Sequence, residues 1–259
     1  MSALLRVSLA LFFAAFSTLT LAQAQKAPAY EPTVGQEGKD VVWVPTPQAL
    51  VDKMLDMAKV TPHDFVMDLG SGDGRTVITA AKRGARAAGI EYNPDMVALS
   101  KQNAQKAGVG DRVTFTKADL FETDLSHATV ITMFLLPSIN VKLRPKILAL
   151  KPGTRVVSNT FTMDEWKADE TFHLDEAACS GSSWCTALLW IVPARVGGTY
   201  NLPQGQLTLK QTFQYLSGTL RTDGKTFALE GKMDGEEISF RAGGREYHGR
   251  VKGKQIELR

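Results

Sequence analysis

Apolar positions between residues 47 and 193 follow two alternating patterns. Short continuous or alternating runs at Phe65–Leu69, 87–91, Val113–Lys117, 129–134 and 154–159 read as strands. The run 129–134 is apolar almost throughout, as suits a parallel strand buried on both faces. Helical spacing occupies the intervals. A helix over 75–83 is stopped by Gly84, and one over 94–107 is capped by Asn93 and stopped by Gly108. A third covers 138–150, where Pro145 predicts a break or kink. Ahead of the first strand, Leu50, Met54, Met57 and Ala58 recur at helical spacing, which predicts an amphipathic helix over 47–59. Thr46 is its expected cap, with Pro47 in the first turn. Strand-helix alternation of this kind predicts an α/β fold, a Rossmann-like sheet with helices on both faces. Two further strands, 171–174 and 186–193, follow with no helix between them and predict an antiparallel edge pair.

After Gly197-Gly198 the period changes. Six strand-like pieces, 207–213, 215–220, 226–229, 237–240, 246–251 and 255–258, are separated by Asp223-Gly224, Asp234-Gly235, Gly243-Gly244 and Gly253. This is the pattern of a small all-β meander, barrel-like. About 60 residues are marginal for a lone domain, so the module is expected to pack on the first domain or on another protomer. It carries no clustered carboxylates and no cysteine.

The chain divides on this reading into 1–24, 25–44, 45–196 and 199–259. Arg6, an apolar stretch over 7–21 and Ala22-Gln23-Ala24 have the form of a cleavable signal peptide. The stretch is short for a bilayer span of about 20 residues, and an uncleaved anchor is the alternative. Export, to a periplasm-like compartment, is the expected address. Residues 25–44, rich in proline, glycine and charge, read as a linker or loose arm. The net charge of +3 is scattered, with no lysine-arginine block of the kind a nucleic-acid footprint requires, so no nucleic-acid partner is expected. Cys179 and Cys185 would close a small disulfide loop in an oxidising compartment, or stand as two independent thiols. Neither their spacing nor the isolated histidines make a metal site.

The chemistry concentrates at two strand ends. Val66-Met67-Asp68-Leu69 runs into Gly70-Ser71-Gly72-Asp73-Gly74, and the second strand ends in Gly89-Ile90-Glu91-Tyr92-Asn93-Pro94. Ligands of open parallel sheets bind at the carboxyl ends of their strands. Alternate glycines let the loop backbone approach a ligand with no Cβ between. A carboxylate at Glu91 can accept from both hydroxyls of a ribose, and Asp68 can support the loop or meet an amino group. Arg75 occupies the place where the dinucleotide fingerprint has its third glycine, and no Gly-Lys-Ser/Thr completes a phosphate loop. The layout points to S-adenosyl-L-methionine rather than to a dinucleotide or a nucleoside triphosphate.

From about 43 to 166 the chain resembles the class I S-adenosylmethionine-dependent methyltransferases. More narrowly it resembles the lysine N-methyltransferases of the ADP/ATP carrier and the ATP synthase c-subunit, and their bacterial relatives. Val44-Pro45-Thr46, Asp68 through Arg75, Gly89 through Pro94, Ala118-Asp119-Leu120, Phe134-Leu135-Leu136-Pro137-Ser138 and Arg155-Val156-Val157-Ser158 carry the likeness. It implies that Gly70, Ser71 and Gly72 face the methionine part of the cofactor and Glu91 its ribose, with Tyr92 alongside. Asp119 would accept from the adenine amino group, with Leu120 beside it, and Pro45 and Thr46 would close over the cofactor. Phe134, Leu135, Pro137 and Ser138 would line the transfer site, although Pro137-Ser138 also suits a helix cap. The expected acceptor is a lysine of a protein, including one set in a membrane, or a small amine. No histidine or carboxylate is singled out as a general base. Two other functions stay open at this point. S-adenosylmethionine is made in the cytosol, so the second reading is an exported binding module that keeps the pocket without turnover. A small-molecule methyltransferase is the third.

Overall fold

The structure is a computed structural model that describes residues 30–259 except Glu176 and Ser180. The signal-like segment 1–24 lies outside the described residues.

The predicted alternation is present, with boundaries shifted by one to three residues. In chain order the elements are α1 (Gln48–Met57), β1 (Phe65–Leu69), α2 (Arg75–Lys82), β2 (Arg86–Glu91), α3 (Pro94–Lys106), β3 (Val113–Lys117), β4 (Val130–Met133), α4 (Pro137–Ile147), β5 (Arg155–Asn159), β6 (Glu170–His173) and β7 (Thr186–Ile191). The seven strands form one sheet in the order β3-β2-β1-β4-β5-β7-β6. β1 to β5 are mutually parallel, and β7 runs antiparallel to both β5 and β6. The two closing strands therefore do not form an outer pair in chain order. The later strand, apolar from Ala187 to Trp190, takes the inner place, and β6, mostly exposed, takes the rim. Burial decides this, because an inner strand must be apolar on both faces.

Successive strand residues feed opposite cores. Val66, Val130 and Val157 join the face covered by α1, α2 and α3. Met67, Ile131 and Val156 join the face covered by α4 and by Trp166, whose ring meets Trp190 at 6.3 Å. Pro47, not Thr46, stands at the N-cap of α1, and no side chain caps it. Asn93 caps α3 as expected, accepting from Asp95 N–H at 2.9 Å. Pro145 lies inside a continuous α4. Only Lys146 and Ile147 follow it in the helix, so the break a proline imposes falls where α4 already ends.

One polar cluster ties the sheet's amino-terminal edge together. Asp64, 7% exposed, accepts from the Thr61 N–H at 2.8 Å and the Thr129 hydroxyl at 2.7 Å, and it pairs with Arg155. Arg155 also donates to the Ala58 carbonyl at 2.7 Å. Burial pushes the Asp64 carboxyl up, but Arg155 and the two other donors outweigh it and hold the group below its ordinary value. Its contribution to stability is thus present above the unfolded value of 3.8 and lost as pH falls through the lower folded value. Arg155→Met is expected to cost about 1–3 kcal/mol of stability at neutral pH and to flatten the acid limb, read by urea unfolding at pH 7 and pH 3.

Residues beyond Gly197 form a second, wholly antiparallel sheet. Its strands are β8 (Gly198–Leu202), β9 (Gly205–Thr212), β10 (Tyr215–Thr222), β11 (Lys225–Asp234), β12 (Glu237–Ala242), β13 (Arg245–Lys252) and β14 (Gln255–Leu258), paired in sequence order. The meander has seven strands rather than six, because β8, with Gly198 and little apolar alternation, gives a weak pattern. Its first and last strands approach each other, so the sheet curls almost into a barrel around Leu207, Leu220, Leu229 and Phe240. Pro32–Arg259 is one compact unit, and the meander packs on the first sheet. Phe213 stacks on Trp166 at 6.1 Å, and the fully buried Gln214 donates to the Lys167 carbonyl at 2.8 Å.

Candidate functional site

The loop after β1 is fastened to the end of β2. Gly70 and Ser71 N–H donate to the Ile90 carbonyl at 2.9 and 3.0 Å, and the Gly72 N–H donates to Glu91 Oε2 at 3.0 Å. Glu91 Oε1 accepts from Asn93 N–H at 2.9 Å. One carboxylate thus spans the two loops that follow β1 and β2. Gly70, Gly72 and Gly74 hold φ of +76°, +54° and +83°, backbone that side chains rarely adopt. A Cβ on Gly72 would lie 2.6 Å from the Trp43 indole nitrogen. At Gly89 a Cβ would lie 2.5 Å from Ser71 Oγ and 2.6 Å from the Phe115 ring. Ser100 and Asn103, on α3, donate to the Gly72 and Asp73 carbonyls at 2.7 and 3.0 Å and brace the loop from behind.

These strand ends open into a cavity of about 400 Å³. Asp68, Gly70, Ser71, Gly72, Glu91 and Tyr92 line one side, with Asp119 and Leu120 after β3. Phe134 and Leu135 after β4 line the other, together with Leu136, Ile139 and Phe161. Pro45 and Thr46 line it too. Pro137 and Ser138 do not. They are exposed at the start of α4, and Leu136 holds its N-cap position with no side-chain cap, so Ser138 is not a cap either.

The stretch read as a loose arm has a different place. From residue 36 to 46 it lines the same cavity. Reciprocal backbone bonds, Gly35 N–H to the Trp43 carbonyl at 2.8 Å and Trp43 N–H to the Gln36 carbonyl at 2.9 Å, fold it back on itself. Trp43 rests against Gly72, and Lys39 pairs with Asp119 and sits 4.9 Å from the Tyr92 ring centre. The arm is anchored at its end, where Arg75 donates to the Thr46 carbonyl at 3.0 Å while bound to Asp73 at 2.6 Å. Only the glycine beside it makes room for Trp43, and no local pattern announces that pairing.

Electrostatically the cavity floor asks for a cation. Asp68 accepts the Thr132 hydroxyl at 2.6 Å and is buried at the cavity wall. Burial first, then the charges of Asp73 and Glu91, raise its carboxyl to about 7 against the hydroxyl bonds that lower it. Ser71 Oγ is buried without a hydrogen-bond partner. A buried carboxylate, an unpartnered hydroxyl, a side-chain-free backbone cradle and a second carboxylate beyond it fit the amino-acid and ribose parts of S-adenosylmethionine. At its other end the cavity is aromatic and apolar. Among the described residues no group of histidine, cysteine, aspartate and glutamate is placed to hold a metal.

Trp184 also reaches this end. It lies in the loop closed by the Cys179–Cys185 disulfide, whose Cα atoms are 6.1 Å apart. No sequence motif marks Trp43, Lys39, Phe161 or Trp184, since each joins the cavity from a separate segment.

Comparisons with known proteins agree with this geometry. Residues 68–170 match the family model described as the ANTKMT methyltransferase domain. A protein-lysine N-methyltransferase of Saccharolobus islandicus (strain REY15A) is 45% identical over 139 residues, covering 52% of this chain and 86% of that protein. The adenine nucleotide translocase lysine N-methyltransferase of Mus musculus is 38% identical over 119 residues, 45% of this chain and 52% of that protein. The chain thus spans about half the length of that mouse relative. A solved structure described as an RNA methyltransferase from Salinibacter ruber, in complex with S-adenosyl-L-homocysteine, is 49% identical. It superposes with a TM-score of 0.55 over 59% of this chain and 96% of that one.

Proposed function

This chain belongs to the ANTKMT methyltransferase domain family and is an S-adenosylmethionine-dependent methyltransferase; from that premise we propose that it N-methylates a protein lysine. The observation that carries the acceptor assignment is the apolar end of the cavity. Phe134, Leu135, Leu136 and Phe161 surround the transfer side, and among the described residues that line the cavity there is no histidine, while the carboxylates come from other segments. An amine needs no general base if it is desolvated, because loss of water disfavours its charged form and leaves the neutral nucleophile. The cofactor, when bound, supplies a methyl group already activated on a sulfonium.

The chain's own residues then bind, align and exclude water. Glu91 accepts from the ribose hydroxyls, and Asp68 with the backbone of Gly70, Ser71 and Gly72 holds the methionine part. Asp119, with Leu120 and Tyr92, holds the adenine, and Lys39 gives up its bond to Asp119 or shares it. Pro45, Thr46 and Trp43 close the cavity from above. Alignment of nucleophile and methyl group, with water shut out, is the main source of rate in such a transfer. We also read the chain as exported. The disulfide supports an oxidising compartment, since such bonds persist there.

The test is incubation of the full chain with tritiated S-adenosylmethionine and separate protein, RNA and small-molecule fractions of its source cells, followed by acid hydrolysis of the protein. Label is expected in mono-, di- or trimethyl-lysine. Nuclease-sensitive label would replace this reading with an RNA acceptor, in line with the name of the Salinibacter ruber relative. Label confined to small molecules would overturn it as well.

A further inference from the structure

Three aromatic rings from distant segments meet at the acceptor end of the cavity. Phe134 stacks on Phe161 at 5.8 Å with planes 19° apart, and Trp184 meets Phe134 edge-on at 5.9 Å. Phe161 follows Thr160, which sits at φ +58° although it is β-branched. Such backbone persists only where the surroundings over-determine it, and it concentrates at functional sites. Those surroundings are present. The Phe161 carbonyl accepts from the buried Ser158 hydroxyl at 2.8 Å and the buried Asn140 amide at 3.0 Å, and the Thr160 N–H donates to the Thr186 carbonyl at 2.6 Å. Trp184, 38% exposed, is carried by the Cys179–Cys185 loop, and both cysteines are buried. A large apolar ring left this exposed at a cavity mouth, on a covalently closed loop, is placed for a ligand.

We propose that Phe134, Phe161 and Trp184 form the acceptor's binding channel, and that the disulfide serves to hold Trp184 in it. The ligand class is an alkylammonium side chain with its methylated forms. The rings bury the aliphatic stem. Trp184, the exposed ring, attracts the ammonium as it enters and its methylated product as it leaves, while the stacked Phe134–Phe161 pair strips the amine of water and leaves it neutral for attack. A channel that still accepts the methylated amine permits successive transfers to one nitrogen. Trp184 is a specificity-determining residue on this assignment, and Cys179 and Cys185 are positioning residues.

The inference rests on the amine-acceptor reading above, and its test separates the two. The full chain, saturated with S-adenosylhomocysteine, is titrated calorimetrically with Nα-acetyl-Nε-trimethyl-lysine methylamide and with the neutral Nα-acetyl-norleucine methylamide. The cationic probe is expected to bind at least about fivefold more tightly. Trp184→Leu should weaken the cationic probe by roughly 5- to 30-fold, Trp184→Phe should restore most of it, and the Cys179→Ala/Cys185→Ala double variant should resemble Trp184→Leu. S-adenosylhomocysteine affinity should stay unchanged in all three. Equal probe binding in wild type and Trp184→Leu, or no probe binding to wild type, overturns the channel. Loss of S-adenosylhomocysteine binding in the Trp184 variants overturns it too, by placing Trp184 in the cofactor site. Selective probe binding with no methyl-lysine formed in cell fractions would instead reject the lysine reading and leave the alkylammonium site standing.

Discussion

Glu91→Ala is expected to weaken S-adenosylhomocysteine binding by about 100-fold or more, while leaving the protein folded. Glu91 ends β2 with its carboxylate half-buried at the cavity wall. A hydrogen bond to a charged group contributes about 1.5–3 kcal/mol, so losing two ribose contacts corresponds to a loss of roughly 3–6 kcal/mol, or about two to four decades in affinity. The substitution also frees the Gly72 and Asn93 N–H groups that Glu91 now engages. Both can turn to water, so the stability cost is small, but the glycine loop loses its tether to β2. Glu91→Gln keeps one acceptor oxygen and should fall between. Calorimetric titration with S-adenosylhomocysteine, alongside thermal melts, decides the matter. A dissociation constant within about threefold of wild type would remove Glu91 from the cofactor site.

Cofactor affinity should also rise with pH up to about 7 and then level off, and Asp68→Asn should abolish the rise. Asp68 is the buried carboxyl whose value lies at about 7 against 3.8 for the ordinary group. For the free protein the sign follows directly. The native state holds a proton that the unfolded state releases, so the stability associated with protonated Asp68 is complete below 3.8 and lost as pH rises through 7. The shift amounts to a few kcal/mol as an order of magnitude. The cofactor's ammonium reverses this preference, since it favours the ionised carboxylate beside it. Binding below pH 7 therefore expels a proton, and affinity climbs by up to about tenfold per pH unit over that range. Asp68→Asn has nothing to ionise. It should bind at least about tenfold more weakly at pH 8, show no slope, and melt higher than wild type above pH 7 without cofactor. A wild-type affinity flat from pH 5 to 8 would show that no ammonium sits against Asp68.

These two residues were legible because local chemistry marks them. Each is a carboxylate at the end of an apolar strand, next to glycine or the second loop, and strand ends in a parallel sheet share one edge. Asp119 came only from the family resemblance, since β3 is mostly exposed and ends at Lys117, and its bond to Lys39 was not legible at all. The arm from 36 to 44 went unread as part of the site because proline, glycine and charge without periodicity look the same in a tether and in a lid. Only the side-chain-free surface of Gly72 distinguishes them, by accepting Trp43. Pro137 and Ser138 show the converse. Their motif pointed to the transfer site, but they begin α4 and face outward, while their neighbours Leu136 and Ile139 line the cavity.

The sequence by itself determined the strand-helix alternation, the glycine loop, the two carboxylates across it and the change to a β meander. Each is set by periodicity, backbone freedom or turn chemistry acting over a few residues. Tertiary structure alone decided that β7 lies inside β6, that the meander docks through Phe213 and Gln214, and that Trp43, Phe161 and Trp184 converge on one cavity. Those placements depend on which apolar surfaces cover one another across the whole chain. Burial is non-directional, so the local pattern marks which faces are covered but not what covers them.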